Sequence, residues 1–387
     1  MGDQFVAGVD VGNAMVKVYE GVRRRWMTPN AVDYRCDLKL VEGHGETPDS
    51  WLHLEVINSP VVVKPTRFYF GDLAVRRGAS ARPLVTAKLR EEQTALAFLA
   101  ALARTAAHRL SNMSKKEREG YLDAGTGRLV VPFVVGVGAP VHQYEDAEAK
   151  RLFASRVKGR HVVRFVDTPE YKDLGAFELN VDRAMLYQEG VSALADFRYD
   201  DAGAVRRRGE LDCHVAVIDP GANTLDWATI KPDGAVDPTL TNGRDLGLAE
   251  AMDQLKDAIN TEFERRYTRA QLISDLLELD YAIPQGNGSV PVWDQAKHYL
   301  QRVADDVLAV VRKLQNDSQN RIGLVLLVGG GAAALRRFLE PEFEKPAFKG
   351  VEVQWLNEPL YANAAGYFKR TMVKLAEEKA KVDSGHA

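Results

Sequence analysis

The chain has 387 residues, 45% apolar and 27% charged, with a formal net charge of −3 and a pI of about 6.3. That length is long for one hydrophobic core and comfortable for two, and the composition excludes a disordered chain. The near-neutral balance supplies no global basic field, so direct nucleic-acid binding is not expected, and the arginine clusters at 23–25 and 206–208 read as solvated loop charge. The two cysteines, Cys36 and Cys213, show neither metal-ligand spacing nor a disulfide framework. The start of the chain, with acidic Asp3 entering a short strand, does not have a signal-peptide pattern. No uncharged apolar stretch reaches the ~18 residues of a spanning helix. The expectation is a cytoplasmic protein without membrane contact.

In chain order, residues 4–11 and 15–21 read as a hairpin, followed by a polar, irregular segment over 23–49. Strands are expected at 51–57 and 61–70. The first strong helix covers 91–110, with an apolar stripe through Ala95, Leu96, Leu99, Leu102 and Ala103. A polar loop, a buried strand at 129–137, a helix at 146–157 and a strand at 162–166 follow. Residues 182–194 read as a helix, and the main division of the chain is expected close to it. The second half restarts with strands at 213–219 and 224–230 and helices at 246–267, 269–279 and 293–315. An apolar strand at 323–328, a helix at 332–343, a strand at 351–355 and a last helix at 360–380 complete the reading. Short β runs alternating with longer helices argue for α/β architecture.

One feature occurs twice. Asp10-Val11-Gly12-Asn13, with Lys17 beyond it, and Asp219-Pro220-Gly221-Ala222-Asn223-Thr224-Leu225-Asp226 each press an Asp-x-Gly turn between two strand-like runs. Glycine lets backbone N–H groups approach phosphate oxygens, and the carboxylate can orient Mg²⁺ or its waters. Gly12 and Asn13 would offer N–H groups, and Lys17 would neutralise charge. In the second turn Thr224 can add a hydroxyl, Asp226 can tie down the turn, and Pro220 removes one donor. Gly329-Gly330-Gly331, between a strand and a helix, could let a flat ring or sugar lie against the backbone. Glu189 is a candidate general base. Walker, dinucleotide, His-x-x-x-His and Gly-x-Ser-x-Gly patterns are missing from the sequence.

The ordered pair of Asp-x-Gly turns and the late Val-Gly-Gly-Gly strand end resemble the actin-like ATPase superfamily, which includes actin, DnaK-type chaperones and sugar kinases. Within it the chain is similar to the bacterial and archaeal actin-like proteins of the ParM/StbA plasmid-segregation type, and to the related group encoded in PRTRC gene clusters. The segments 70–74, 137–141, 187–190 and 361–366 carry that narrower likeness. The resemblance implies an actin-like fold of two RNase H-like domains with the nucleotide in the cleft between them. The expected bounds are 1–180 for the first domain and 181–357 for the second, with the C-terminal helix 358–380, which contains Asn363, packing back on the first. It also implies roles. Asp10, Gly12 and Lys17 fall on the first phosphate motif; Asp219, Gly221 and Thr224 fall on the second. Asp10 and Asp219 would hold Mg²⁺ through water, Glu189 would activate the lytic water, and Gly329 to Gly331 would face the adenosine. Pro220 and Ala222 depart from the glycines of many relatives.

The expected function is binding and hydrolysis of ATP, or GTP, with Mg²⁺, coupled to self-association into filaments that segregate a plasmid with a DNA-binding adaptor protein. Polymerisation is implied by resemblance alone. A small-molecule kinase of the same superfamily and a non-polymerising nucleotide-binding scaffold or regulator are the rivals. A chaperone is the least favoured, since little chain follows residue 380.

Overall fold

The computed structural model describes residues 3–36, 52–79, 88–168, 170–206, 212–356 and 358–383. The chain divides into two units, Met1–Ala204 with Ala364–Ala387, and Val205–Asn363. Residues 37–49 of the expected irregular segment, and Arg207 and Arg208, lie outside the described residues.

The first unit contains β1 (Phe5–Val11), β2 (Met15–Tyr19), β3 (Arg25–Pro29), β4 (Val32–Asp33), β5 (Leu52–Asn58) and β6 (Thr66–Phe70). It continues with α1 (Asp72–Arg76), α2 (Glu92–Ser111), α3 (Lys115–Glu119), β7 (Val130–Ala139), α4 (Val141–Tyr144), α5 (Ala147–Val157), β8 (Gly159–Phe165), β9 (Phe177–Gln188) and α6 (Val191–Arg198). Its strands form a nine-stranded sheet ordered β3-β2-β1-β7-β9-β8-β5-β6-β4. The outermost strands β3 and β4 are separated in sequence only by Asn30 and Ala31, so the sheet must curl back on itself. Helix α2 is alanine- and leucine-rich and almost wholly buried, and its core, with Phe98, extends onto the sheet through Phe5, Val9 and Phe133.

The second unit contains β10 (His214–Pro220), β11 (Leu225–Ile230), β12 (Asn242–Arg244), α7 (Leu248–Glu262), α8 (Arg269–Glu278), the hairpin β13 (Ala282–Gln285) and β14 (Gly288–Pro291), and α9 (Trp293–Asp317). Then come β15 (Ile322–Leu327), α10 (Gly329–Phe343) and β16 (Glu352–Trp355); the last helix, α11 (Ala362–Asp383), belongs from Ala364 onward to the first unit. Its five-stranded sheet is ordered β12-β11-β10-β15-β16. Helix α9 buries Ala296, Leu300, Val303, Ala304, Val307, Leu308, Val311 and Leu314, the three- and four-residue spacing of one helical face.

The two sheets repeat one plan. In each, an antiparallel meander of three strands is extended by two parallel strands: β3-β2-β1 with β7 and β9, and β12-β11-β10 with β15 and β16. This is the RNase H-like order that the family resemblance implies. The last helix lies on the first unit's sheet where two glycines face each other in register, Gly8 opposite Gly136. A Cβ at Gly8 would sit 1.9 Å from the Ala364 carbonyl, and one at Gly136 would sit 2.5 Å from that of Tyr367. Only bare backbone admits the helix this closely.

Four expectations need correction. Residues 182–194 are not one helix: they complete the twelve-residue strand β9, break at Gly190 with φ +74°, and open α6. The apolar spacing of Ala184, Met185, Leu186, Val191 and Leu194 fits a helix, but β9 lies between β7 and β8, where ladder pairing on both sides decides the conformation. For the same reason the unit boundary falls after Ala204 rather than at 180/181, since β9 belongs to the first sheet. Arg25–Pro29 is a strand rather than irregular chain, recruited by pairing with β2. Finally, Gly329–Gly331 is the first turn of α10 rather than a linker before it.

Candidate functional site

In the first unit, β1 and β2 pair so that Asp10 lies opposite Lys17. The turn between them closes with Gly12 N–H donating to the Met15 carbonyl at 2.9 Å. Lys17 Nζ lies 3.2 Å from Asp10 Oδ2, and Asp10 is buried. In the second unit, β10 and β11 place Asp219 opposite Asp226, and Gly221 N–H donates to the Thr224 carbonyl at 2.7 Å. A Cβ at Gly12 would meet Met15 O at 2.9 Å, and one at Gly221 would meet Thr224 O at 3.0 Å. Both turns therefore need glycine for the same local reason.

Each turn is also braced from behind. Asn30, fully buried, donates Nδ2 to Gly12 O at 2.8 Å and its own N–H to Ala14 O at 2.8 Å. In the second turn the bracing donors are the first N–H groups of α7: Leu248 to Gly221 O at 3.1 Å and Ala249 to Ala222 O at 2.7 Å. A trans peptide points its N–H opposite to its carbonyl. With these carbonyls drawn into the fold, the N–H groups of Asn13, Ala222 and Asn223 face away from it, as an anion-binding turn requires. Gly247 is forced here too, because a Cβ on it would meet Ala222 O at 1.9 Å.

Glu189 follows the last residue of β9. Its N–H donates to Ala139 O at 2.9 Å, which fixes it level with the end of β7. Strands β1, β7 and β9 run parallel, so Gly12 and Glu189 leave the same C-terminal edge of the sheet. Two strand spacings separate them, about 10 Å, enough for a phosphoryl group and a water between turn and carboxylate. The Glu189 carboxylate pairs with Lys88 Nζ.

In the second unit, Asp219 meets the start of α10. A Cβ at Gly329, whose φ is +83°, would lie 2.1 Å from Asp219 Oδ1, and one at Gly331 would lie 1.9 Å from Pro220 O. Packing against the turn thus already accounts for two of the three glycines. Asn363 Nδ2 donates to Asp219 Oδ2 at 3.0 Å, and the Thr224 hydroxyl donates to Asp226 Oδ2 at 2.6 Å. The Thr224 hydroxyl is therefore engaged inside the turn, and Asp226 holds it there.

The fold thus gathers Asp10, Gly12, Asn13, Lys17 and Glu189 at one sheet edge, and Asp219, Gly221, Asn223, Thr224 and Gly329 to Gly331 at the matching edge of the other sheet. Sequence reasoning missed Asn30 and Lys88 as parts of the site and left Asn363 without a role at Asp219. Asn30 sits in the stretch read as irregular, and Lys88 reaches its partner across 101 residues. Among the described residues, no three His, Cys, Asp or Glu side chains gather into a metal-holding group. That donor set fits Mg²⁺ arriving with phosphates and waters, which one or two carboxylates suffice to orient, rather than a resident ion in a protein cage.

Fold and site define an actin-like protein. The family described as actin like proteins N terminal domain matches residues 8–191, and that described as archaeal actin homologue MreB-like, C-terminal, matches 217–341. The chain belongs to the actin-like proteins, and its fold is that of ParM and the archaeal actin homologues. Bacillus thuringiensis ParM with ATP superposes with a TM-score of 0.69 at 18% identity, covering 96% of this chain and 99% of that one. The archaeal actin homologue Ta0583 gives 0.66 at 18%, covering 95% and 98%. The apo pSK41 ParM gives 0.65 at 14%, covering 97% and 98%. No curated protein matches the chain by sequence. No helix among the described residues is long and apolar enough to cross a membrane.

Proposed function

We propose that the chain is a nucleoside triphosphatase that binds ATP with Mg²⁺, hydrolyses it, and assembles head-to-tail into filaments that segregate a plasmid through a DNA-binding adaptor. The observation that carries this reading is the duplicated hairpin: the same Asp-x-Gly turn, closed by the same bond and braced through the same carbonyl, at the same position of two sheets. ATP is favoured over GTP because similar structures include ParM with ATP and with AMPPNP. The outward N–H groups of Asn13, Ala222 and Asn223 would hold phosphate oxygens, with Lys17 balancing Asp10 and the phosphate charge. Asp10 and Asp219 would orient the waters of Mg²⁺, which supplies charge neutralisation when bound. Glu189 would take the proton of a water aligned for in-line attack. A repeated heterologous contact that does not close generates a filament.

Sedimentation and phosphate release, each with and without ATP and Mg²⁺, test the proposal. Pelleting together with release in the absence of any acceptor supports it. Release without pelleting leaves a non-polymerising ATPase, and ADP formed only with an added acceptor, without free phosphate, marks a small-molecule kinase. If no nucleoside triphosphate binds in a magnesium-dependent way, the reading is wrong.

A further inference from the structure

The Glu189 carboxylate is not left to find its own orientation. Its Oε1 accepts from Lys88 Nζ, and the two side chains are 23% and 6% exposed. Lys88 opens a short 3-10 turn, Lys88–Arg90, that is anchored independently of this pair. Leu89 is buried, and its N–H donates to Gln143 Oε1 at 3.2 Å. Arg90 donates to Asp146 at 3.0 Å and Glu148 at 2.8 Å, while Arg156 donates to Arg90 O at 2.7 Å. Gln143 stands on α4, just past the end of β7, so the turn spans the tips of β7 and β9. These contacts hold the turn without help from Lys88. A buried ammonium that merely closed a loop would be a poor solution, since desolvation opposes it and an apolar side chain would do as well.

From this geometry we infer that Lys88 is a positioning residue for hydrolysis: it fixes one oxygen of Glu189 at the tip of β9 and sets the plane of its carboxylate toward the attacking water. The inference rests on the reading of Glu189 as general base. Fixing one oxygen stops rotation of the carboxylate, and misplacement of a reacting group by about 1 Å can cost about 100-fold in rate.

The test compares the full-length protein with K88M, K88R, E189Q and the K88M/E189Q double variant. It measures equilibrium binding of a fluorescent ATP analogue with Mg²⁺, single-turnover phosphate release and thermal melting. K88M should slow hydrolysis about 10- to 100-fold while nucleotide Kd stays within about threefold, and K88R should recover most of the rate. The double variant should be no slower than E189Q, because Lys88 acts only through Glu189. Removing both charges together leaves no unpaired ion, so the double variant should fold even if K88M does not. Losses that multiply in the double variant, a Kd raised more than tenfold in K88M, or K88M turning over at the wild-type rate would each overturn the inference. Wild-type hydrolysis by E189Q would instead remove the base assignment beneath it.

Discussion

Asn30 allows a sharp prediction, because an isosteric change there should do more harm than truncation. Its Nδ2 donates to Gly12 O at 2.8 Å with no part of the residue exposed to solvent. Asn30→Asp keeps the volume but puts an acceptor against that carbonyl. The carboxyl must then stay protonated or swing away. Protonation at pH 7 costs about 4 kcal/mol relative to a free Asp of pKa about 3.9. Swinging away strands the Gly12 carbonyl at about 1–3 kcal/mol. The swung carboxylate would also be an unpaired charge in a fully buried site, so protonation is the cheaper route and Asn30→Asp should lose about 4 kcal/mol at pH 7, whereas Asn30→Ala loses the bond and leaves a small void at about 1–3 kcal/mol. Urea unfolding followed by tryptophan fluorescence reads this, Trp26 lying on the strand β3 that ends just before the brace. The sign with pH is fixed as well. The variant's Asp has a raised value in the folded state, so the deficit is absent below about pH 4 and opens as pH rises, at up to about 1.4 kcal/mol per unit. ATP affinity should fall about tenfold with the loosened turn, a loss of about 1.4 kcal/mol. An Asn30→Asp protein as stable as wild type at pH 7 would refute the brace.

Gly329→Ala should cost the second unit about 2–4 kcal/mol, because its φ of +83° disfavours a side chain and the new Cβ displaces Asp219 from Asn363. Gly330→Ala is the control, meeting only the end of Leu360 at 3.2 Å, and denaturant midpoints of the two should separate clearly. Burial lowers the pKa of His161, which contacts Ser59 Oγ at 2.7 Å and Val157 O at 3.0 Å, and burial likewise lowers His53 against the opposing pull of Asp167. The unfolded chain therefore binds protons first, and stability should fall as pH drops through about 6.5, by about 1.4 kcal/mol per unit for each histidine until the folded-state value is reached. His161→Gln should flatten its share of that slope in melts between pH 7 and pH 5; an unchanged slope would count against the assignment.

Both hairpins are legible in the sequence because each Asp-x-Gly turn is flanked by apolar runs that have no other way to be buried. Helices α2 and α9 are legible for the same reason, since their apolar faces repeat at helical spacing over many turns. The failures share a cause in non-local pairing. β9 carries apolar residues that suit either period, and only its two neighbours in the sheet make it a strand. Asn30 looks like any loop asparagine until β3 brings it behind Gly12. Lys88 looks like a surface lysine until the end of β9 arrives beside it. Gly329 to Gly331 announce close approach, but not whether a ligand or Asp219 and Pro220 will make it.

The two-residue tie between β3 and β4 also restricts what the lineage can vary. Asn30 grips the phosphate turn, while the carbonyl of Ala31 takes the N–H of Gly71 at 3.0 Å, so adjacent peptides hold opposite rims of one sheet. Exposed loops gain or lose residues at small entropic expense. One residue added here would invert the facing of every side chain in a flanking strand. Substitutions can accumulate around this stretch, but its length should stay constant among proteins that share the architecture.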